Sequence, residues 1–98
     1  MPRQTTEDDV RRWAEKLQAV GHPIRLRIVM ELLKGTKCVN DIRDLTAVRQ
    51  PAVSQHLRVL RQSGLVDYRK RGTSRCYFLV SRSLVQKLIG LLQREQVA

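Results

Sequence analysis

Hydrophobic positions fall at helical spacing along most of this chain and switch to short alternating runs in one stretch. Val10, Trp13, Ala14, Leu17 and Val20 predict a first helix, which Gly21 ends. Thr6 supplies its N-cap, and Glu7, Asp8 and Asp9 place acids in the first turn, where they complement the helix dipole. After Pro23, the residues Ile24, Leu26, Ile28, Val29, Met30, Leu32 and Leu33 cover most of the circumference of a helix reaching about Lys34. That pattern marks the most buried helix of the molecule. Gly35 closes it, Thr36 to Val39 read as a short extended segment, and Asn40 can cap a brief helix from Asp41 to Leu45.

Ala47 to Gln50 read as a turn, and Pro51 suits the first position of a helix that continues to about Ser63. At about 100° per residue, Ala52, Val53, His56, Leu57, Val59 and Leu60 share one arc, while Ser54, Gln55, Arg58, Arg61 and Gln62 share the opposite one. Gly64 ends this helix. Leu65 to Lys70 and Ser74 to Val80 predict two strands joined by a tight turn at Arg71, Gly72 and Thr73. Ser83 opens a last helix with a broad apolar face of Leu84, Val85, Leu88, Ile89, Leu91 and Leu92. The expected fold is therefore mainly α with a small β-hairpin, one domain over residues 1–98.

Charge adds a direction to this pattern. The net charge is +10, and between Ala47 and Arg82 lie eight basic residues (Arg49, Arg58, Arg61, Arg69, Lys70, Arg71, Arg75 and Arg82) against a single acid, Asp67. Clustered cations suit a polyanion, because each neutralised phosphate releases condensed counterions. With only Trp13, Tyr68, Tyr77 and Phe78 as aromatics, the chain is poorly equipped to stack successive unpaired bases, so duplex DNA is the better partner. No apolar run is long enough for a membrane span, and the N-terminus lacks the apolar core of a secretory signal, so a cytoplasmic location is expected. In that setting Cys38 and Cys76 are expected as free thiols.

Helix, turn, helix and basic hairpin in this order build a DNA-reading head. The second helix of such a unit offers polar and basic side chains to base edges while its rear face grips the core. Gln pairs with adenine, Arg with guanine, and Ser reaches base edges or phosphate. The candidate DNA contacts are Arg49, Gln50, Ser54, Gln55, Arg58 and Arg61 from the turn and helix, and Arg69, Lys70, Arg71 and Arg75 from the hairpin. A solvated amphipathic helix and a hairpin charged for solubility would look similar in part. Four cations within seven residues, with no acid among them, favour the binding reading.

The stretches HPIRLRIVMELLKG, CVNDI, QPAVSQHLRVLRQSGLV and YRKRGTSRCYFLV resemble, in this order and spacing, the ArsR/SmtB family of winged helix-turn-helix repressors. The resemblance covers about Leu17 to Val80. It implies a homodimer built from the first and last helices, bound to a pseudo-palindromic operator and released by a signal. Arg49 departs from the pattern, since many members carry a helix-capping Ser there. The family's thiolate site is not intact: Cys38-Val39-Asn40-Asp41-Ile42 keeps one thiol and lacks the other. The alternative site on the last helix is also missing its ligands, because LVQKLIGLLQREQ contains no His and only Glu95. With His22 and His56 better explained by packing and helix boundaries, no zinc site and no cofactor are expected.

In a winged helix the short strand before the helix-turn-helix lies beside the second wing strand, which would bring Cys38 near Cys76. Two such thiols could form a disulfide, be bridged by a polysulfide, or bind a thiophilic metalloid such as As(III). The plainer reading makes both cysteines small buried hydrophobes. A direct bond needs Cα atoms within about 7 Å, a condition that spacing along the chain cannot test. No phosphate-cradling glycine loop, paired carboxylate in an apolar setting or Cys–His arrangement points to an enzyme. The rivals to an inducible repressor are a regulator without thiol sensing and a non-specific basic nucleic-acid-binding protein.

Overall fold

A computed structural model describes residues 3–46 and 50–97 of the 98-residue chain. Helix α1 (Glu7–Val20) starts where Thr6 accepts the N–H of Asp9 while the Asp9 carboxylate accepts the N–H of Thr6, at 3.1 and 3.0 Å. This reciprocal pair satisfies two donors that a bare helix start leaves unpaired. Helix α2 (Pro23–Leu32) starts with its Ile24 N–H donating to Nδ1 of the capping His22 at 3.1 Å. Ile28, Val29 and Leu32 are buried, and α2 touches α1, the two helices that follow it, strand β3 and the last helix, so it occupies the centre expected of it. Met30 is the exception on its apolar circumference, being 40% exposed.

Strand β1 is only Lys37–Cys38, and helix α3 (Val39–Thr46) follows at once. The helix therefore begins earlier than an Asn40 cap would require. The reason is local: the Asp41 carboxylate reaches back to accept the Cys38 N–H at 3.3 Å, so the acid, not Asn40, closes the helix start. The expected turn from Ala47, including Arg49, lies outside the described residues. Helix α4 (Gln50–Gln62) begins one residue before Pro51. Strands β2 (Val66–Arg71) and β3 (Ser74–Leu79) form the hairpin, and helix α5 (Arg82–Val97) ends the chain. Arg71 belongs to β2 and pairs with Ser74, leaving Gly72 and Thr73 as a two-residue turn. A φ of +60° at Gly72 matches the primed turns that suit the natural strand twist.

The sheet is antiparallel in the order β1-β3-β2, with β2 at an edge. Its register sets Cys38 opposite Cys76 and Tyr68 opposite Tyr77. Leu65, Val66 and Tyr77 root the hairpin in a core shared with Val53, Leu57 and Leu60 of α4, Ile42 of α3, and Val85 and Ile89 of α5. Large apolar side chains remain uncovered on the two outer helices: Val10, Trp13 and Leu17 on α1, and Leu84, Leu91 and Leu92 on α5. No helix among the described residues is long and apolar enough to cross a membrane.

Candidate nucleic-acid interface

Helix α4 divides as its pattern requires. Val53, Leu57 and Leu60 are fully buried, whereas Ser54, Gln55, Arg58, Arg61 and Gln62 are exposed. Val59, grouped with the packing arc by its angle, is 38% exposed because it lies at the border of that arc. The end of α4 is held from two sides. The Ser63 hydroxyl donates to the Leu60 carbonyl at 2.7 Å, and Lys16 Nζ on α1 donates to the Ser63 carbonyl at 2.9 Å. Gly64 then turns the chain with φ +84° into the wing.

His56 faces inward from α4 towards the start of α2. Its ring centroid is 4.7 Å from that of His22, and Arg25 Nη1 lies 3.5 Å from His56 Nδ1. Arg25 itself donates to the carbonyls of Ala19 and Gln18 at the end of α1, at 2.6 and 3.3 Å. Desolvation, reinforced by the charges of His22 and Arg25, lowers the His56 pKa, so the imidazole is held neutral. Both histidines thus serve junctions between helices. Among the described residues no group of three or more His, Cys, Asp or Glu could hold a metal ion.

Between α4 and the wing runs an open groove of about 1010 Å³, lined among others by Ser54, Arg58, Arg61, Tyr68, Ser74 and Arg75. The structure thereby brings candidates from the helix and from the hairpin to one concave surface. Arg69, Lys70, Arg71 and Arg75 are exposed along the wing. Their surroundings differ. The Arg69 guanidinium stands 5.3 Å from the Phe78 ring centroid, and those of Arg61 and Arg75 stand 4.6 and 4.8 Å from that of Tyr68. Arg61 Nε also donates to Asp67 Oδ1 at 3.0 Å. That bond, helped by the Tyr68 N–H donating to the same oxygen at 2.8 Å, lowers the Asp67 pKa below the ordinary carboxylate value. Ser54, Gln55, Arg58, Lys70 and Arg71 have no polar or ring partner among the described residues and keep their donors for an outside ligand. Arg49 lies outside the described residues, as does the side chain of Gln50.

Arg82, the last cation of the basic segment, turns away from this surface. It donates to the carbonyls of Leu32 and Leu33 at the end of α2, a helix terminus where a cation is favourable. Asp67, Tyr68 and Lys16 are parts of the site that the chain's pattern does not single out. Asp67 was visible only as the one acid in a basic segment, and Lys16 carries no signal, because its partner is a carbonyl 47 positions away.

The expectation of free thiols is overturned. Cys38 and Cys76, 38 positions apart in sequence, form a disulfide with Cα atoms 3.8 Å apart. The register of β1 on β3 sets the two residues directly opposite, so their side chains leave the same face of the sheet at the same level. Cys76 is 2% exposed, and the bond ties the strand that enters α3 to the wing.

Five helices around one core, with the polar arc of the second helix of the helix-turn-helix exposed, and a paired basic hairpin define a winged helix-turn-helix of regulatory type. The model of the bacterial regulatory protein family arsR matches residues 22–68. The biofilm growth-associated repressor of Xylella fastidiosa strain Temecula1 is 32% identical over 95 residues, covering 94% of this chain and 82% of that protein. The repressor SmtB of Mycobacterium tuberculosis is 37% identical over 70 residues, which is 71% of this chain and 52% of SmtB. The chain thus spans about half the length of that curated relative. HlyU of Vibrio cholerae superposes with a TM-score of 0.81 at 32% identity, covering 95% of this chain and all of that one. This chain belongs to the ArsR/SmtB family of winged helix-turn-helix transcriptional regulators, a family of non-enzymatic proteins.

Proposed function

We propose that this protein is a sequence-specific transcriptional repressor that binds duplex DNA as a homodimer in the cytoplasm. The observation that carries the reading is the groove between α4 and the wing, where Ser54 and Arg58 face the wing residues Ser74 and Arg75, with Gln55 exposed on the same helix and Arg69, Lys70 and Arg71 exposed along the wing outside the groove. In this reading Ser54, Gln55 and Arg58, with Gln50 at the start of α4, meet base edges in the major groove. Arg69, Lys70, Arg71 and Arg75 meet phosphates or the minor groove, and Arg49 adds a backbone contact before α4. The uncovered faces of α1 and α5 join two chains, giving two reading heads about 34–36 Å apart on one side of the duplex. Footprinting on DNA around the protein's own gene tests this. Protection of a discrete inverted repeat is expected; salt-sensitive coverage without site preference would instead identify a non-specific basic binder.

The disulfide favours a finer reading, in which the oxidation state of Cys38 and Cys76 governs release from the operator. Reduced, the two thiols leave β1 and β3 joined by backbone bonds alone. A polysulfide oxidises them by accepting two electrons: one thiolate takes a sulfur atom to form a persulfide, the second attacks the inner sulfur of that group, and hydrosulfide leaves. The new S–S bond locks the entrance of α3 to the wing and favours a geometry that does not span both half-sites. An As(III) ion would need both thiols reduced, so the bond seen here supports oxidation over metalloid capture. Reduced, operator-bound protein titrated with polysulfide should release DNA, while Cys38→Ser and Cys76→Ser should stay bound. Equal response of the serine variants would make the bond purely structural, and release by arsenite instead would move the sensing to the metalloid.

A further inference from the structure

We propose that Arg61 is a positioning residue that holds the wing at its working angle to α4 through Asp67 and Tyr68, and that it is not a phosphate contact. The proposal rests on the reading of the groove as a DNA-binding surface, and it departs from a simple assignment of every groove cation to DNA.

Three residues, Ser63, Gly64 and Leu65, connect α4 to β2 through a hydrogen-bonded helix end, with the Gly64 and Leu65 N–H groups donating to the carbonyls of Arg61 and Leu60 at 3.0 and 3.2 Å, which directs the start of the wing but not the strands beyond it. The buried roots of the hairpin, Leu65, Val66 and Tyr77, fix its base. Beyond them the wing projects into solvent, and among the described residues the polar and ring contacts that link it back to α4 are those of Arg61. Its Nε donates to Asp67 Oδ1 at 3.0 Å while its guanidinium lies over the Tyr68 ring. The same oxygen is held by the Tyr68 N–H at 2.8 Å, so the carboxylate is fixed by the strand before it meets the arginine. Tyr68 in turn has the Arg75 guanidinium 4.8 Å from its ring centroid and packs beside Tyr77 with centroids 5.4 Å apart. One tyrosine therefore relates a helix cation to a wing cation, and one acid neutralises the helix cation.

Charge accounting separates the two roles. A cation that meets a phosphate releases counterions, and its removal flattens the dependence of affinity on salt by about 0.9 in logarithmic slope. Arg61 is matched by Asp67, so its removal should weaken operator binding about fivefold with little change in slope. Arg71→Ala, removing a cation with no partner among the described residues, should flatten the slope by the full amount.

Asp67 supplies a test of opposite sign. If it were only an acid near DNA, Asp67→Ala and Asp67→Asn would both tighten binding to every sequence by the same factor, since each removes one negative charge. If it positions Arg61, Asp67→Ala weakens operator binding about fivefold, and Asp67→Asn, which keeps an acceptor oxygen for Arg61 and for the Tyr68 N–H, retains most of the wild-type affinity. The wing is also read without DNA. Amide relaxation of Arg69 to Arg75 in the free protein should show a wing that is stiff in wild type and Asp67→Asn and more mobile in Asp67→Ala and Arg61→Ala. This arm stands even if the protein proves to have no operator, which keeps failure of the proposal distinct from failure of the functional reading. Unchanged wing mobility, a slope lowered by about 0.9 in Arg61→Ala, or tighter binding by both Asp67 variants would each overturn the positioning role.

Discussion

Asp9 is an acid in a basic protein and is only 1% exposed, enclosed by Arg3, Arg12 and the Thr6 cap. The Arg3 hydrogen bond, followed by that from the Thr6 N–H, holds its carboxyl far below the usual carboxylate range. A pKa depressed in the folded state stabilises fully above the unfolded value near 3.9 and loses that contribution as pH falls towards the folded value. Stability should therefore decline with acid below about pH 4, and Asp9→Asn should flatten the decline in urea unfolding followed over that range. Thr6→Ala removes the reciprocal hydroxyl and should cost about 0.5–2 kcal/mol in the same assay at neutral pH. On the reading surface, Gln55→Ala and Arg58→Ala should lose about 1–3 kcal/mol of discrimination between operator and unrelated DNA, with non-specific binding much less changed. Competition titrations against scrambled duplex measure that difference.

At the scale of elements, α4 is set by its two ends. Gly64 has φ +84°, and a Cβ built there would lie 3.3 Å from Lys16 Nζ, the group that holds the Ser63 carbonyl. Gly64→Ala should therefore cost about 1–2 kcal/mol from backbone strain and disturb the α1 contact as well. Heating curves monitored by circular dichroism would show it as a lowered Tm. Nearer its start, α4 is docked by the neutral His56 against His22 and Arg25. Because the folded pKa of His56 is lowered, the unfolded chain binds the proton first, and stability is lost as pH falls from about 6.5 to the folded value. His56→Gln should remove this component, so the variant's stability should change less than that of wild type between pH 7 and 5. The limits of the elements were legible where residues cap their own helices, as the Thr6 side chain and the Gly21 backbone N–H do for α1. They were less so at α3, where the choice between Asn40 and Asp41 depended on which side chain found the free N–H.

For the whole molecule, the uncovered apolar stripes decide what remains to be built. Val10, Trp13 and Leu17 lie on one side of α1, and Leu84 and Leu91 two turns apart on α5, all between 47% and 61% exposed. A second copy is the occupant that the functional reading requires, since one reading head covers only half an inverted repeat. Leu17→Glu or Leu91→Glu should convert the dimer to a monomer at micromolar concentration in sedimentation experiments. Operator affinity should fall with it, while single-site binding to short half-site DNA should persist. A monomeric wild type would count against the dimer.

The order of elements, the division of α4 into a packing arc and an exposed arc, the hairpin with its glycine turn and the concentration of positive charge all followed from the chain alone. Each depends on periodicity or on neighbours within a few residues, and those are local properties of a sequence. Which cations are free was a matter for tertiary structure. Arg61, Arg71 and Arg82 look alike along the chain, yet one is matched by Asp67, one stands without a partner among the described residues, and one caps α2 from 49 positions away. The same holds for Cys38 and Cys76, whose bond depends on the register of two strands joined through most of the fold. Register and long-range pairing are set when the core packs as a unit, because only then does burying Leu65, Val66 and Tyr77 against α4 choose one alignment of the sheet over its neighbours.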